Sequence, residues 1–588
     1  MKPLLRGRYA GYTVQALKKD MISGSIVGIV AIPLGMAFAI ASGVKPEYGL
    51  YTTIVAGLLI SLLGGSRFQI GGPTGAFIPI LFAIVLQYGY ENLLIAGFMA
   101  GVMLLLMGLL RFGAVIRFIP RPVTIGFTSG IAVIIFTGQI ADFLGVHVDK
   151  QGGFIADMRA LVLQLPSINL YSVLTAALCL AVLLITPRWL PRIPGSLIGL
   201  LISSLAAAWF FPGQVATIGS TFGDIPAGLP EFRVPAISWD RIVHLLQPAF
   251  VIAMLGGIES LLSAVVADGM TGERHKSNRE LVGQGIANMV TPLFGGIPAT
   301  GAIARTATNI RNGAVSPVSG VVHALVVLLV LLFFAPYASN IPLAAMAPIL
   351  MVVAWNMSER KAFLHILRTR TADSLILAVT FLLTVFFNLT VAVQAGLVLA
   401  VVLFVKRMSE GVKVAKVLPD PADRKAKVSS RIVKDGRHCP QISMFTVEGP
   451  LFFGAAQSFE QSLADQSADT PLVLILRMGR VPYMDTTAES NLSALVGRVQ
   501  RQGGIVLVTG IHDQPRTLLS RTGLADRIGA EHFFDRTGAA IDFALTRISP
   551  ARCQGCRHFA FRECTALSGA GSLPDHPCSA RKRETVRA

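Results

Sequence analysis

The chain has 588 residues, 53% hydrophobic and only 14% charged, against roughly 25% charged in an ordinary soluble domain, and its mean hydropathy is +0.62. That combination excludes a protein that is soluble throughout and places most of the length in a bilayer. Lys and Arg outnumber Asp and Glu by 51 to 33, a net charge of +18 that fits nucleic acid, an anionic membrane face or the basic loops of a multi-span protein until the charges are located.

A basic leader, 1–20, runs into an apolar stretch longer than the core of a cleavable signal, so the first helix is expected to stay in the mature protein. A membrane-crossing helix needs roughly 20 apolar residues. Runs of that kind fall near 21–43, 49–64, 73–88, 91–111, 122–141, 170–187 and 193–211, the first repeat. After a polar stretch, 213–240, a second set follows near 242–267, 280–294, 299–311, 315–335, 341–356, 373–388 and 390–405. The expected fold is therefore an α-helical membrane domain over 21–408 with fourteen segments in two groups of seven.

Successive connections must alternate between basic and basic-poor if the helices alternate in direction. One set carries the leader, Arg67, Arg111, Arg117, Arg121, Arg188, Arg192, Arg274, Arg279, Arg311, Arg360, Arg370 and Lys406, and is expected to be cytoplasmic. The other carries Glu47, Glu91, Asp142, Asp149, Asp157, Asp224, Glu231 and Asp240, with Lys45, Lys150, Arg159 and Arg233. Both termini are then inside an inner membrane, the lipid bilayer is the surrounding partner, and no nucleic acid is expected.

Past Lys406 the composition becomes charged, and 409–430, with Pro419 and Pro421, reads as a linker. Strand-like runs at 442–447, 472–476 and 505–509 alternate with amphipathic stretches near 455–466, 486–501 and 514–528, which predicts a small α/β domain over 431–548. A tail, 549–588, holds Cys553, Cys556, Cys564 and Cys578, while Cys179 lies in an apolar run and Cys439 stands alone. The tail's single C-x2-C is a metal half-site with no tightly spaced second half, so zinc there and a flexible tail of reduced thiols both stay open.

Two membrane segments are short and are preceded by similar text: Gly71, Gly72, Pro73, Thr74, Gly75 and Ala76 in the first group, and Gly295, Gly296, Ile297, Pro298, Ala299, Thr300, Gly301 and Ala302 in the second. Each is third in its group. Short Gly/Pro-interrupted segments in matched positions mark an inverted-repeat transporter whose broken helices meet near the midplane. Their exposed N–H groups and positive dipole ends make an anion site without Lys or Arg. Glu259 sits deep in 242–267, where a carboxyl normally faces a cavity or a partner, and is a candidate proton-exchange group or a structural hydrogen-bonding residue. Arg305, one turn beyond Ala302, either supplies charge to a bound anion or pairs with an acid.

At these residues the chain resembles a known family. Pro33 to Ala39 (PLGMAFA) followed by Pro46 to Tyr51 (PEYGLY) is similar to the first two helices of SulP, the sulfate-permease-like anion transporters related to prestin. Gly223, Asp224, Ile225 and Pro226, and Gly295 to Thr306, resemble further family blocks. Gly449 to Gly454 (GPLFFG) and Val481 to Thr486 (VPYMDT) resemble the family's carboxy-terminal STAS domain. The resemblance spans about 10–548 and does not cover the tail.

It implies a seven-plus-seven inverted repeat divided into a mobile core and a gate, usually a homodimer, carrying sulfate, bicarbonate, chloride or dicarboxylates. The anion then lies between the third and tenth helices at Thr74, Gly75, Ala76, Gly301, Ala302, Ile303 and Ala304, with Phe38 closing over it. Two positions depart from the pattern. Leu34 replaces a Gln that several relatives carry after the first helix's proline. Glu259 and Ile303 stand where sodium-coupled members place Asp and a hydroxyl, and Ile303 offers no side-chain oxygen to a hard cation, so proton symport is expected over sodium coupling. Thr486, after Asp485, matches a phosphorylated position of soluble STAS regulators, although Asp485 equally fits an N-cap. No nucleotide loop, nucleophile triad or metalloprotease motif is present, so no enzyme activity is expected. The alternatives are an anion exchanger or uncoupled channel, and a membrane-anchored scaffold whose STAS domain binds a cytoplasmic protein.

Overall fold

Apolar runs of this length become helices because hydrocarbon offers no partner for backbone N–H and C=O groups, so each segment must satisfy its own. The computed structural model describes residues 12–114, 120–148, 153–189, 194–236, 238–387, 389–419, 439–453 and 472–568, the last range without 555, 557, 559 and 562. Two units separate by their internal contacts, Met1–Ala400 and Val401–Ala588.

In the first half of the chain stand α1 (Val14–Ala41), α2 (Pro46–Leu63), the two-residue strand β1 (Gly71–Gly72), α3 (Ile78–Tyr88), α4 (Tyr90–Leu109), α5 (Arg121–Gly138), α6 (Ile140–Leu144), α7 (Phe154–Gln164), α8 (Leu170–Trp189), α9 (Gly195–Phe210) and α10 (Ile218–Phe222). The second half repeats the scheme with α11 (Trp239–Thr271), α12 (Ser277–Val290), β2 (Thr300–Gly301), α13 (Ile303–Arg311), α14 (Val318–Ala338), α15 (Leu343–Met357), α16 (Arg360–Thr369), α17 (Ala372–Phe386) and α18 (Leu389–Glu410). Every one of the fourteen segments expected from the sequence finds its helix. The short α6, α7, α10 and α16 are additions, and α16 replaces what reads as a basic connection.

Among the described residues eight helices are long and apolar enough to cross a membrane by themselves, and three more are shorter but apolar. α12 and α13 carry polar side chains and are wrapped by neighbouring helices: α12 packs on α2 and α4, and α13 on α1 and α11. The first four segments of each half pack together, with α1 on α14, α4 on α11 and α12, and α2 on α14. The later ones form a second group in which α5 packs on α15 and α17, and α8 on α9 and α15.

Polar side chains tie the first group across the halves. Asp20 on α1, fully buried, accepts from the backbone N–H groups of Val315 and Ser316 at 2.7 and 3.2 Å. Glu280 on α12, also fully buried, accepts from the N–H groups of Gly65 and Ser66 at 2.6 and 3.1 Å. Each carboxyl thus holds the loop of the opposite half.

The second unit is a five-stranded sheet in the order β3-β4-β5-β6-β7, from β3 (Lys413–Lys416), β4 (Ile442–Glu448), β5 (Val473–Arg480), β6 (Ile505–Thr509) and β7 (Phe533–Phe534). Only β3 is antiparallel to its neighbour. Successive side chains of a strand point to opposite faces. Leu474 and Leu476 accordingly join Leu492 and Val496 of the helix Thr486–Arg501, while Val473 and Ile475 join Ala540 and Ala544 of the helix Thr537–Thr546. Two boundaries expected from the sequence are corrected. The sheet begins at Lys413, inside the stretch read as a linker, because an edge strand tolerates lysines that a central strand would not. Packing also continues past Ile548, since Ala560 and Phe561 are each 2% exposed in the core beneath Thr537–Thr546. The amphipathic stretch near 455–466 lies outside the described residues.

Candidate functional site

The two short segments meet. β1 pairs with β2 in antiparallel register, Gly71 opposite Gly301 and Gly72 opposite Thr300, and the N–H of Ala302 donates to the Ile70 carbonyl at 2.8 Å. Because the strands run in opposite directions, α13 leaves the crossing one way, and the 3-10 turn Gly75–Phe77 with α3 leaves it the other. Both positive helix ends are therefore directed at the crossing. Thr74 and Ala302 occupy the two N-cap positions without side-chain capping bonds. The first N–H groups of an α-helix such as α13 have no partner inside the helix.

The crossing is too tight for side chains. A Cβ on Gly301 would lie 1.6 Å from Gln69 Nε2, and Gly72, at φ +153°, would place one 2.5 Å from Arg305 Nη1. Gln69 Nε2 donates to Ser260 Oγ at 2.8 Å and so links the crossing to α11.

Glu259 joins the site from α11. The Thr74 hydroxyl donates to Glu259 Oε2 at 2.9 Å, which places the carboxyl beside the first half-helix. Arg305 is 3% exposed, donates from Nη2 to the Pro73 carbonyl at 3.0 Å, and leaves Nη1 buried without a partner. Glu259 lies within its electrostatic range, yet the two form no direct ion pair among the described residues. The unpartnered Nη1 lies beside Gly72 at the crossing.

Phe38 on α1, 5% exposed, sets its ring centroid 5.9 Å from the Arg305 guanidinium carbon, a cation–π distance. Thr74, Gly75, Ala76, Gly301 and Ala302 are buried, whereas Ile303, at 38%, and Ala304 are exposed. The sequence-derived set thus gathers around one crossing, with Ile303 and Ala304 on its open side.

Sequence reading passed over His323. It lies on α14 in a run that reads as a plain apolar span, is fully buried, and has neither ring nitrogen in a hydrogen bond of ordinary geometry. A Cβ on Gly57 would stand 3.4 Å from its Nε2, and Arg305 is within electrostatic range. A polar residue inside an apolar run is the signal that finds it.

In the second unit Thr486 is exposed at the first position of its helix, and Asp485 is the N-cap, accepting from the Ala488 N–H at 2.9 Å and the Phe453 N–H at 2.8 Å. Cys553, Cys556 and Cys564 line one small cavity, and Cys439, which the sequence leaves isolated, lines it too. Cys578 lies outside the described residues.

Comparison with known proteins identifies the family. The Sulfate permease family matches residues 17–380 and the STAS domain matches residues 434–540. YvdB of Bacillus subtilis (strain 168), whose name carries a provisional sulfate assignment, is 58% identical over 530 residues, 90% of this chain and 98% of that one. The bicarbonate transporter BicA of Picosynechococcus sp. is 31% identical over 555 residues, 92% and 96% of the two chains. The solved transmembrane domain of a cyanobacterial BicA superposes with a TM-score of 0.58 at 30% identity, covering 66% of this chain and 98% of that one. Murine Slc26a9, an anion transporter, shares the fold, with a TM-score of 0.82 at 19% identity over 90% and 92% of the two chains. The relatives named here are transporters, not enzymes. With the broken-helix crossing and the appended sheet both in place, the chain belongs to the sulfate permease family of membrane anion transporters and carries a carboxy-terminal STAS domain.

Proposed function

We propose that this chain is a secondary active transporter for a small oxyanion of the sulfate, bicarbonate or dicarboxylate class, working as a proton symporter in an inner membrane with both termini cytoplasmic. The observation that carries the reading is the Thr74–Glu259 hydrogen bond at the crossing where Arg305 Nη1 has no protein partner. An anion seated between the ends of α3 and α13 receives their N–H groups and the free guanidinium donor, and Phe38 covers it. Glu259, touching Thr74, exchanges a proton as the anion enters and leaves, which removes one negative charge from the site while the anion is bound. The first group of helices carries the anion past the second in an elevator-like motion, within a homodimer. The names of YvdB and BicA support sulfate and bicarbonate as the first anions to try.

Purified protein in proteoliposomes tests this directly. Uptake of labelled sulfate, bicarbonate and a dicarboxylate is measured with and without an inward proton gradient. Accumulation of one anion, accelerated by the gradient, is expected. Uptake indifferent to the gradient identifies an exchanger or channel, and no uptake of any anion leaves the scaffold reading.

A further inference from the structure

Four cysteines from two distant parts of the second unit surround a single small cavity. Cys439 lies just ahead of β4, and Cys553, Cys556 and Cys564 follow the helix Thr537–Thr546, yet all four line the same space with His558 and Arg552 at its edge. Its volume is about 20 Å³, room for one water-sized guest and not for a cluster of atoms.

Three of the four sulfurs already face hydrogen-bond donors. The Phe561 N–H donates to Cys564 Sγ at 3.3 Å, and Gln441 Nε2 donates to Cys553 Sγ at 3.4 Å. The backbone N–H groups of Gln441 and Ile442 are directed at Cys439. Gln441 also clasps Ser549, accepting its N–H at 2.8 Å and donating to its carbonyl at 3.2 Å, which holds the entrance of the tail against the start of β4. Donors of this kind steady metal-bound thiolates and tune their charge.

As the side chains stand, no three His, Cys, Asp or Glu among the described residues converge at ligating distance, so a metal would draw the sulfurs inward by side-chain rotation.

We propose that Cys439, Cys553, Cys556 and Cys564 form a tetrathiolate site for a single zinc ion. The ligand set suits a closed, tetrahedral structural site. The metal fastens the segment after the helix Thr537–Thr546 to the start of β4, with Cys439 and not Cys578 as the fourth ligand. The site is independent of what the membrane unit carries.

Elemental analysis of the full chain, purified in reducing buffer without metal-affinity resin, tests the assignment. About one zinc per chain is expected. C439S and C553S should lower that content at least about tenfold, while C578S leaves it unchanged. Metal-free full-length protein, or loss of zinc in C578S but not in C439S, overturns the proposal. Should C439S fail to fold, cobalt exchange into the unmutated chain decides. A thiolate-to-cobalt charge-transfer band with tetrahedral d–d bands supports the site, and a cobalt spectrum without thiolate charge transfer overturns it.

Discussion

The Thr74 hydroxyl reaches Glu259 Oε2 at 2.9 Å, joining the start of the first half-helix to a carboxyl in the middle of α11. Residues 185 positions apart in sequence thus share one hydrogen bond at the point where the two repeats cross.

Glu259→Gln keeps an acceptor for Thr74 and removes the titratable proton. Uptake by the variant in proteoliposomes should continue but lose its acceleration by an inward proton gradient. A variant that answers the gradient like the parent makes Glu259 structural.

Arg305→Gln removes the unpartnered Nη1 donor and the positive charge beside the crossing. Hydrogen bonds to charged groups contribute about 1.5–3 kcal/mol, so apparent anion affinity should fall by about tenfold or more. Arg305→Lys should recover only part of it, since an ammonium cannot reproduce the guanidinium's fork. Concentration-dependent uptake in the three proteins measures the effect, and an unchanged half-saturation concentration in Arg305→Gln contradicts it.

Glu280→Ala leaves the half-buried Gly65 N–H and the buried Ser66 N–H without their acceptor. Each orphaned donor costs about 1–3 kcal/mol, so the detergent-solubilised protein should lose monodispersity at a clearly lower temperature than the parent. An unaltered melting curve would show that water or a neighbouring side chain takes over.

Gly301→Ala puts a methyl group where Gln69 Nε2 now sits. Gln69 must then leave Ser260, the two strands move apart, and transport should drop at least about tenfold while the protein remains folded. Gly313→Ala, at a positive φ in open space, carries backbone strain alone and serves as the comparison.

Much of this arrangement is readable from local pattern. Apolar runs report most of the helices because a span that faces lipid must be apolar, whereas α12 and α13, wrapped by neighbouring helices, keep polar side chains. The Gly/Pro text at Gly71 and Gly295 reports the breaks because only such residues permit them. What escapes is tertiary. Cys439 looks solitary since its companions begin at Cys553, and no periodicity links them. β3 hides in a charged stretch because an edge strand carries Lys413 and Lys416 without cost to the core. His323 hides in the opposite way, since one imidazole barely dents the hydropathy of α14, and its relation to Arg305 exists only after α14 folds back beside α13.

The central claim is that the anion occupies the space between the ends of α3 and α13, on the side where Ala304 is exposed. Ala304→Trp fills that space from an exposed position, whereas Leu325→Trp changes an exposed residue of α14 outside the crossing. Labelled anion uptake by the two variants, each first shown to be monodisperse, is the most direct measurement. Abolished uptake in Ala304→Trp with parental uptake in Leu325→Trp is predicted, and normal uptake in Ala304→Trp would contradict the placement of the site.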